Sequence, residues 1–275
     1  MDTEQKVAEH YTHGSLLKTI LDAVKQMGKD PERLAPLDLA TGDEFHLGWL
    51  PATVALAKDL GLASGMHVLD VGSGIGGPAR YFAEAHKCRV TGVDLTEEFV
   101  QTATDLTRRC GLSDLVTFRH GSALDLPFEA GMFDAATLIH VGMNIQDKAR
   151  LFEEARRVLK PGARFCAYEV MHAGAGDLPY PMPWAMTVET SFVETPDTYR
   201  KLLSAAGFKI EAEENRRAFV LDGVREMRAK IEKDGMPALN QHVLLGATAR
   251  ERLGNVMATL ERGVIAPIQM IARAA

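Results

Sequence analysis

Gly72, Gly74, Gly76 and Gly77 follow directly on the apolar run HVLDV at 67–71. Glycine lets the chain turn with positive φ and lets a ligand come close to the backbone. Pro78 comes next and suits the first turn of a helix, where a missing N–H loses no partner. Asp94 closes a second apolar run, CRVTGVD at 88–94. A carboxylate there can accept hydrogen bonds from both hydroxyls of a ribose. Strand, glycine turn, helix and distal acid, in that order, suit a nucleoside-bearing ligand. The GxGxxG spacing of Gly72, Gly74 and Gly77 does not by itself separate one such ligand from another.

Other side chains could carry a reaction beside that ligand. His140 closes the run FDAATLIH at 133–140, at the edge where an open parallel sheet binds ligands. Its reference pKa of ~6.5 suits proton transfer, so His140 is the first candidate base, with cofactor contact and plain packing as alternatives. His46 in DEFHLGW is second, with Asp43 and Glu44 beside it on a loop able to cover a cleft. Tyr11 could close over a cationic centre. Met143, Tyr180 and Trp184, with Met182 and Met186 near by, suit an adaptable acceptor pocket. His10 and His13 form an HxxH without an evident acidic partner, so no metal site is expected.

These residues need a scaffold. Helical spacing of Leu16, Leu17, Ile20, Leu21 and Val24 predicts one leader helix, and 51–60 a second that stops before Gly61. The stretch 31–48 reads as loop. Strands are expected at 67–71, 88–94, 115–121, 133–140, 163–170, 208–213 and 263–272, alternating with helices. Thr96 is placed to cap one helix, and Asn144 with Asp147 to cap another. Pro267 predicts a bulge or late start in the last strand. The expected fold is therefore α/β: a Rossmann-like, doubly wound, mainly parallel seven-stranded sheet with helices on both faces. A helical leader or lid at 1–64 precedes a domain at 65–275, and lid or acceptor-pocket insertions are expected at 172–194 and 217–262.

Composition narrows the partners. The chain has 275 residues, 46% of them hydrophobic, and a formal charge of −6. An acidic balance argues against nucleic acid, as does the absence of an Asn/Asp-Pro-Pro-Tyr motif. Cys88, Cys110 and Cys166 are too scattered for a disulfide framework, which suggests reduced thiols and a cytoplasmic protein. No apolar run reaches the ~18 residues of a membrane span, and the polar MDTEQKVAEH start does not fit a secretory signal.

Five segments agree together with one family: VLDVGSGIGGPARYFA, VTGVDLT, GSALDLPFEAGMFDAA, ARRVLKPGARF and LLSAAGF. In sequence and order they resemble class I S-adenosylmethionine-dependent methyltransferases over about residues 66–215. Within that class the chain is similar to the small-molecule branch, with glycine/sarcosine N-methyltransferases and ubiquinone/menaquinone C-methyltransferases as neighbours. The resemblance implies S-adenosylmethionine as cofactor and S-adenosylhomocysteine as product. It implies Gly72, Ser73 and Gly74 beside the methionine moiety, Asp94 on the ribose and Leu95 on the adenine. Ser122 and Ala123 would face the adenine ring; Ser122 stands where the family often has Asp or Asn. His140 would face cofactor and acceptor. A small-molecule acceptor follows, with an amino-acid-like nitrogen slightly preferred over carbon or oxygen; the oligomeric state stays open. Two alternatives share these motifs: an NAD-type oxidoreductase, and the same fold holding S-adenosylmethionine as a structural ligand for a reaction such as cyclisation.

Overall fold

The apolar runs of the core pair into one sheet. A computed structural model describes residues 3–275. Strands β1 (His67–Val71), β2 (Arg89–Asp94), β3 (Val116–His120), β4 (Phe133–Ile139) and β5 (Leu159–His172) are mutually parallel; β6 (Phe208–Asn215) and β7 (Ile265–Ala274) complete the sheet in the order β3-β2-β1-β4-β5-β7-β6. β7 runs antiparallel to both its neighbours. The central strand β1 is buried along its whole length and points Val68 to one face, Leu69 and Val71 to the other. That burial on both faces is why the parallel strands read as nearly unbroken apolar runs.

Four leader helices precede β1: α1 (Thr3–Tyr11), α2 (Leu16–Gln26), α3 (Pro36–Asp43) and α4 (Trp49–Leu60). Between strands lie α5 (Gly77–His86), α6 (Glu97–Arg109), α7 (Lys148–Val158) and α8 (Pro196–Ala205). Before β7 come α9 (Arg217–Asp234), α10 (His242–Leu245) and α11 (Ala249–Glu261). Helix α2 buries Leu16, Ile20 and Val24 among Phe99, Leu106 and Leu244, each such side chain stabilising the fold by roughly 1.5–3 kcal/mol. Helices α4 and α5 cover one face of the sheet, and α7 and α8 the other.

The structure departs from the sequence expectations in several places, beginning with α1, a helix where none was expected. The expected loop at 31–48 contains α3, a short helix started by Pro36 and an Asp38 carboxylate that accepts the Ala35 N–H. It carries no apolar stripe, so periodicity is silent there. Asp147, not Asn144, caps α7 by accepting the Arg150 N–H; Asn144 instead ends a 310 turn, Gly142–Asn144. Thr96 occupies the start of α6 without a capping bond from its side chain. Pro267 sits in register opposite Val170, and the bulge falls on β6 between Ile210 and Ala212.

Candidate functional site

The glycine turn is shaped by close approach as much as by torsion. Gly72 has φ +71°, and a Cβ there would lie 2.3 Å from a Val141 methyl. Gly72→Ala is expected to cost roughly 2–5 kcal/mol from left-handed strain and overpacking. Scanning calorimetry should show a melting point several degrees lower, and an unchanged one would contradict this geometry. Gly74 has φ +52°, and a Cβ there would meet nothing within 4 Å. Its N–H donates to Asp94 Oδ2 at 2.8 Å, while Thr96 N–H donates to Oδ1 at 2.9 Å. Each carboxylate oxygen keeps acceptor capacity. Burial pushes the Asp94 carboxyl upward, against the pull of those two N–H groups.

These residues line a cavity of about 640 Å³ at the carboxyl ends of the parallel strands. Gly72, Ser73, Gly74, Asp94, Leu95 and Ala123 lie on one wall, and Tyr11, His46, His140, Met143 and Trp184 also reach it. Two expected residues do not. Ser122 turns its hydroxyl to the Leu124 N–H at 3.0 Å and to Glu4. Tyr180 packs with Leu178 and the α9 and α11 side chains, behind Trp184. Tyr11 donates to Asn144 Oδ1 at 3.0 Å, and the Asn144 amide donates to the Trp184 carbonyl at 2.7 Å. His10 reaches Arg252 and the Pro183 carbonyl, so the HxxH histidine is engaged in joining α1 to α11. Among the described residues no cluster of three or more His, Cys, Asp or Glu could hold a metal.

His140 has no lone pair to offer a substrate. Its Nδ1–H donates to the Tyr168 carbonyl at 3.0 Å, and its Nε2 accepts the Leu47 N–H at 3.3 Å. It sits just past β4 at φ +54°, a left-handed residue held by its surroundings. Burial pushes its pKa down to about 3, so the ring is neutral. His140 therefore clamps the leader loop onto the sheet edge.

Three buried acids stand at or near this cavity, Asp43 from the loop expected to cover it and Asp70 and Glu169 from strands with no expected role. Asp70 on β1 accepts the Thr137 hydroxyl at 2.7 Å on Oδ1, while Oδ2 has no protein partner; the residue lines the cavity. Burial pushes it up to about 7. A charged residue inside the apolar run HVLDV was the available signal. Asp43 pairs through Oδ2 with the buried Arg80 at 2.6 Å and leaves Oδ1 unpartnered at the cavity wall. Glu169 on β5 is fully buried away from the wall and accepts the Val141 and Gly142 N–H groups at 3.0 and 2.9 Å. It holds the turn that carries His140 and Met143, and burial raises it to about 8.

The rest of the wall mixes apolar side chains, among them Val7, Phe45, Leu47, Val170, Leu244 and Val256, with the polar Glu4, Asn144, Gln146, Asp147 and Gln241. Among the described residues, no lysine or arginine lines the cavity.

Residues 69–167 match the family model described as a methyltransferase domain. That segment carries a methyltransferase domain, and there the chain resembles the class I S-adenosylmethionine-dependent methyltransferases. The antiparallel β7 also separates this methyltransferase sheet from the six-stranded parallel order of dinucleotide-binding folds. A sterol 24-C-methyltransferase, ERG6B of Gibberella zeae, is 40% identical over 130 residues, which are 47% of this chain and 34% of that protein. The alignment thus spans about a third of that relative's length. The geranyl diphosphate C-methyltransferase of Streptomyces coelicolor A3(2) superposes with a TM-score of 0.71 at 18% identity, covering 100% of this chain and 98% of that chain. The 4+2 cyclase SpnF superposes at 0.67 and 23% identity, covering 99% and 97%. At those identities the two likenesses speak for the fold alone. Among the described residues no helix is long and apolar enough to cross a membrane.

Proposed function

We propose that the protein transfers the methyl group of S-adenosylmethionine to a neutral, largely apolar small molecule. The observation that carries this reading is the division of one cavity. A polar wall of glycine backbone, Asp94 and an unpartnered Asp70 oxygen faces a wall rich in apolar side chains, and no lysine or arginine lines the cavity among the described residues.

The residues present fit the cofactor. Gly74 leaves open space beside its backbone, Asp94 has spare lone pairs for ribose hydroxyls, and Asp70 Oδ2 awaits a donor such as an α-ammonium group. When bound, the cofactor supplies an activated methyl on a sulfonium, so no metal is required for the transfer. The chain's own contribution is to hold the acceptor in line and keep water out, and alignment of that kind is worth ~7–11 kcal/mol of barrier lowering. Leader residues 3–64, with 172–194 and 217–262, supply the acceptor half, since Val7, Phe45, Trp184, Leu244 and Leu253 come from them. An amino-acid acceptor would bring a carboxylate, and no guanidinium or ammonium lines the cavity among the described residues to receive it. The Glu4 and Asp147 carboxylates in the same lining suit an amine without a carboxylate of its own, so the choice between nitrogen, oxygen and carbon falls to the acceptor test.

Calorimetric titration with S-adenosylmethionine, S-adenosylhomocysteine and NAD tests the cofactor. Release of S-adenosylhomocysteine on incubation with neutral apolar alcohols, phenols and alkenes, against amino acids and their amines, tests the acceptor. Micromolar binding of the first two ligands and turnover confined to the apolar set is the expected outcome. NAD binding in their place would overturn the reading, and cofactor binding without turnover on any acceptor would favour a non-methylating reaction.

A further inference from the structure

Successive strand ends lead across the cavity to Glu4. The sheet order sets β3 beside β2 and β2 beside β1, with strands about 4.8 Å apart. β1 runs into the glycine turn, β2 ends at Asp94, and Asp94 is in register with His120, the last residue of β3. The Gly121 N–H donates to the Asp94 carbonyl at 3.0 Å. The segment 121–124 therefore starts directly beside the acid that offers lone pairs to a ribose. Leu95, Ala123 and Leu124 line the cavity there and suit the faces of a flat ring. The polar edge of such a ring needs a partner as well. Ser122 has no proton left to donate: its oxygen takes the Leu124 N–H at 3.0 Å, and its hydroxyl hydrogen goes to Glu4 Oε1. It also lies off the wall, whereas Glu4 lines it. A carboxylate has about four acceptor sites, and Ser122 takes one of them. Ser122 thus fixes the Glu4 carboxylate at the end of the cavity beyond Asp94.

We infer that Glu4, carried by α1 and held by Ser122, accepts the exocyclic amine of the cofactor's adenine and so selects a 6-amino purine over a 6-oxo purine. The inference rests on the S-adenosylmethionine reading above and adds to it the residue that reads the base. The amine of adenine brings hydrogens to the carboxylate. A 6-oxo purine brings a carbonyl oxygen, and two acceptors then face each other with no hydrogen to share. A site built to receive a donor rejects the analogue that lacks it. The geometry of α1 permits this reach. Glu4 and Tyr11 stand at its two ends, about 10 Å apart along the axis, and Tyr11 donates to Asn144 Oδ1 at 3.0 Å just past β4. The helix therefore crosses the cavity from the β3 end to the β4 end, with Val7 as its one buried residue. Base recognition adds a hold on a helix that little apolar contact secures. Of the two carboxylates set against an acceptor amine above, Asp147 is then the one left for it.

Calorimetric titration of the full chain with S-adenosylhomocysteine and with S-inosylhomocysteine reads the base directly. The wild type should bind the adenosyl compound about 10-fold or more tightly than the inosyl compound. Glu4→Ala should bring the two affinities together. Glu4→Gln keeps an oxygen for Ser122 and offers an amide N–H to a 6-carbonyl, so it should move the ratio towards the inosyl compound. Glu4→Ala combined with Ser122→Asp returns a carboxylate to the same place and should restore the adenosyl preference. Melting points near that of the wild type report that each variant folds. The ratio is the decisive quantity, because a helix that merely covers the site would, once loosened, weaken both ligands by the same factor. Equal loss on both ligands in Glu4→Ala, a preference that survives it, or no preference in the wild type would each overturn the inference. Failure of the wild type to bind either compound would instead sink the cofactor reading.

Discussion

Replacing Asp94 by alanine should weaken S-adenosylmethionine binding by about 100-fold or more, because hydrogen bonds to a charged group are worth roughly 1.5–3 kcal/mol each. The carboxylate does two jobs at once. Inward, it satisfies the Gly74 and Thr96 N–H groups at 2.8 and 2.9 Å and so fixes the glycine turn against the start of α6. Outward, it presents the remaining lone pairs to the cavity. Alanine strands both N–H groups and removes the ribose acceptor. Asp94→Asn separates the two effects. An amide keeps one acceptor oxygen but turns its NH2 against one of the two N–H groups, so the turn is still strained. Calorimetric titration reads the affinity and scanning calorimetry the fold. A folded Asp94→Ala protein with wild-type affinity would remove Asp94 from the cofactor site.

A loss of stability with rising pH is the second large effect. Burial holds Glu169 up to about 8 and Asp70 up to about 7, while both carboxyls titrate near 4 in an unfolded chain. Over the intervening range the native state binds more protons than the unfolded state, so stability falls as pH rises. The neutral histidines His140 and His67, pushed down to about 3 and about 4, oppose this at lower pH. Above about pH 6.5 an unfolded histidine has also lost its proton, and that opposition ends. Lys148, lowered to about 8, begins to favour the native state only above that value. Between about pH 6.5 and 8 each raised acid contributes up to about 1.4 kcal/mol per pH unit, Asp70 until about 7 and Glu169 throughout. Urea unfolding of the cofactor-free protein should show the decline. Glu169→Gln should flatten it while lowering stability at every pH, because its amide meets a backbone N–H. Parallel slopes in the two proteins would show that Glu169 is not the group responsible.

The strands of the core were legible because parallel strands buried on both faces tolerate little but apolar residues. His67–Val71 coincides with the expected strand, and β2 and β4 fall within a residue of theirs. Two helices escaped notice for opposite reasons to α2. Helix α1 buries only Val7 and is held by Tyr11, His10 and Glu4 contacts to distant loops; a helix this short is marginal alone. Helix α3 depends on Pro36 and Asp38 at its start. The glycine turn and Asp94 could be read from spacing. The lone pairs could not. That His140 and His46 each have both ring nitrogens engaged depends on Tyr168, Leu47, Glu44 and Thr53 meeting from separate segments. Glu169 and Asp70 each stand as one charged letter in an apolar strand, a signal of importance without a signal of role.

The position of β7 bears on how the chain reaches this state. The final strand lies between β5 and β6, and β6 has no other partner in the sheet. During synthesis the five parallel strands can collapse with their helices, but β6 emerges with nowhere to pair. Its edge waits until residues 265–274 arrive and zip into β5, about a hundred positions earlier in the chain. The last ten residues of the sheet thus act as the closing stitch, and until they are placed the growing protein carries two unpaired strand edges that a chaperone or a neighbouring chain could take up.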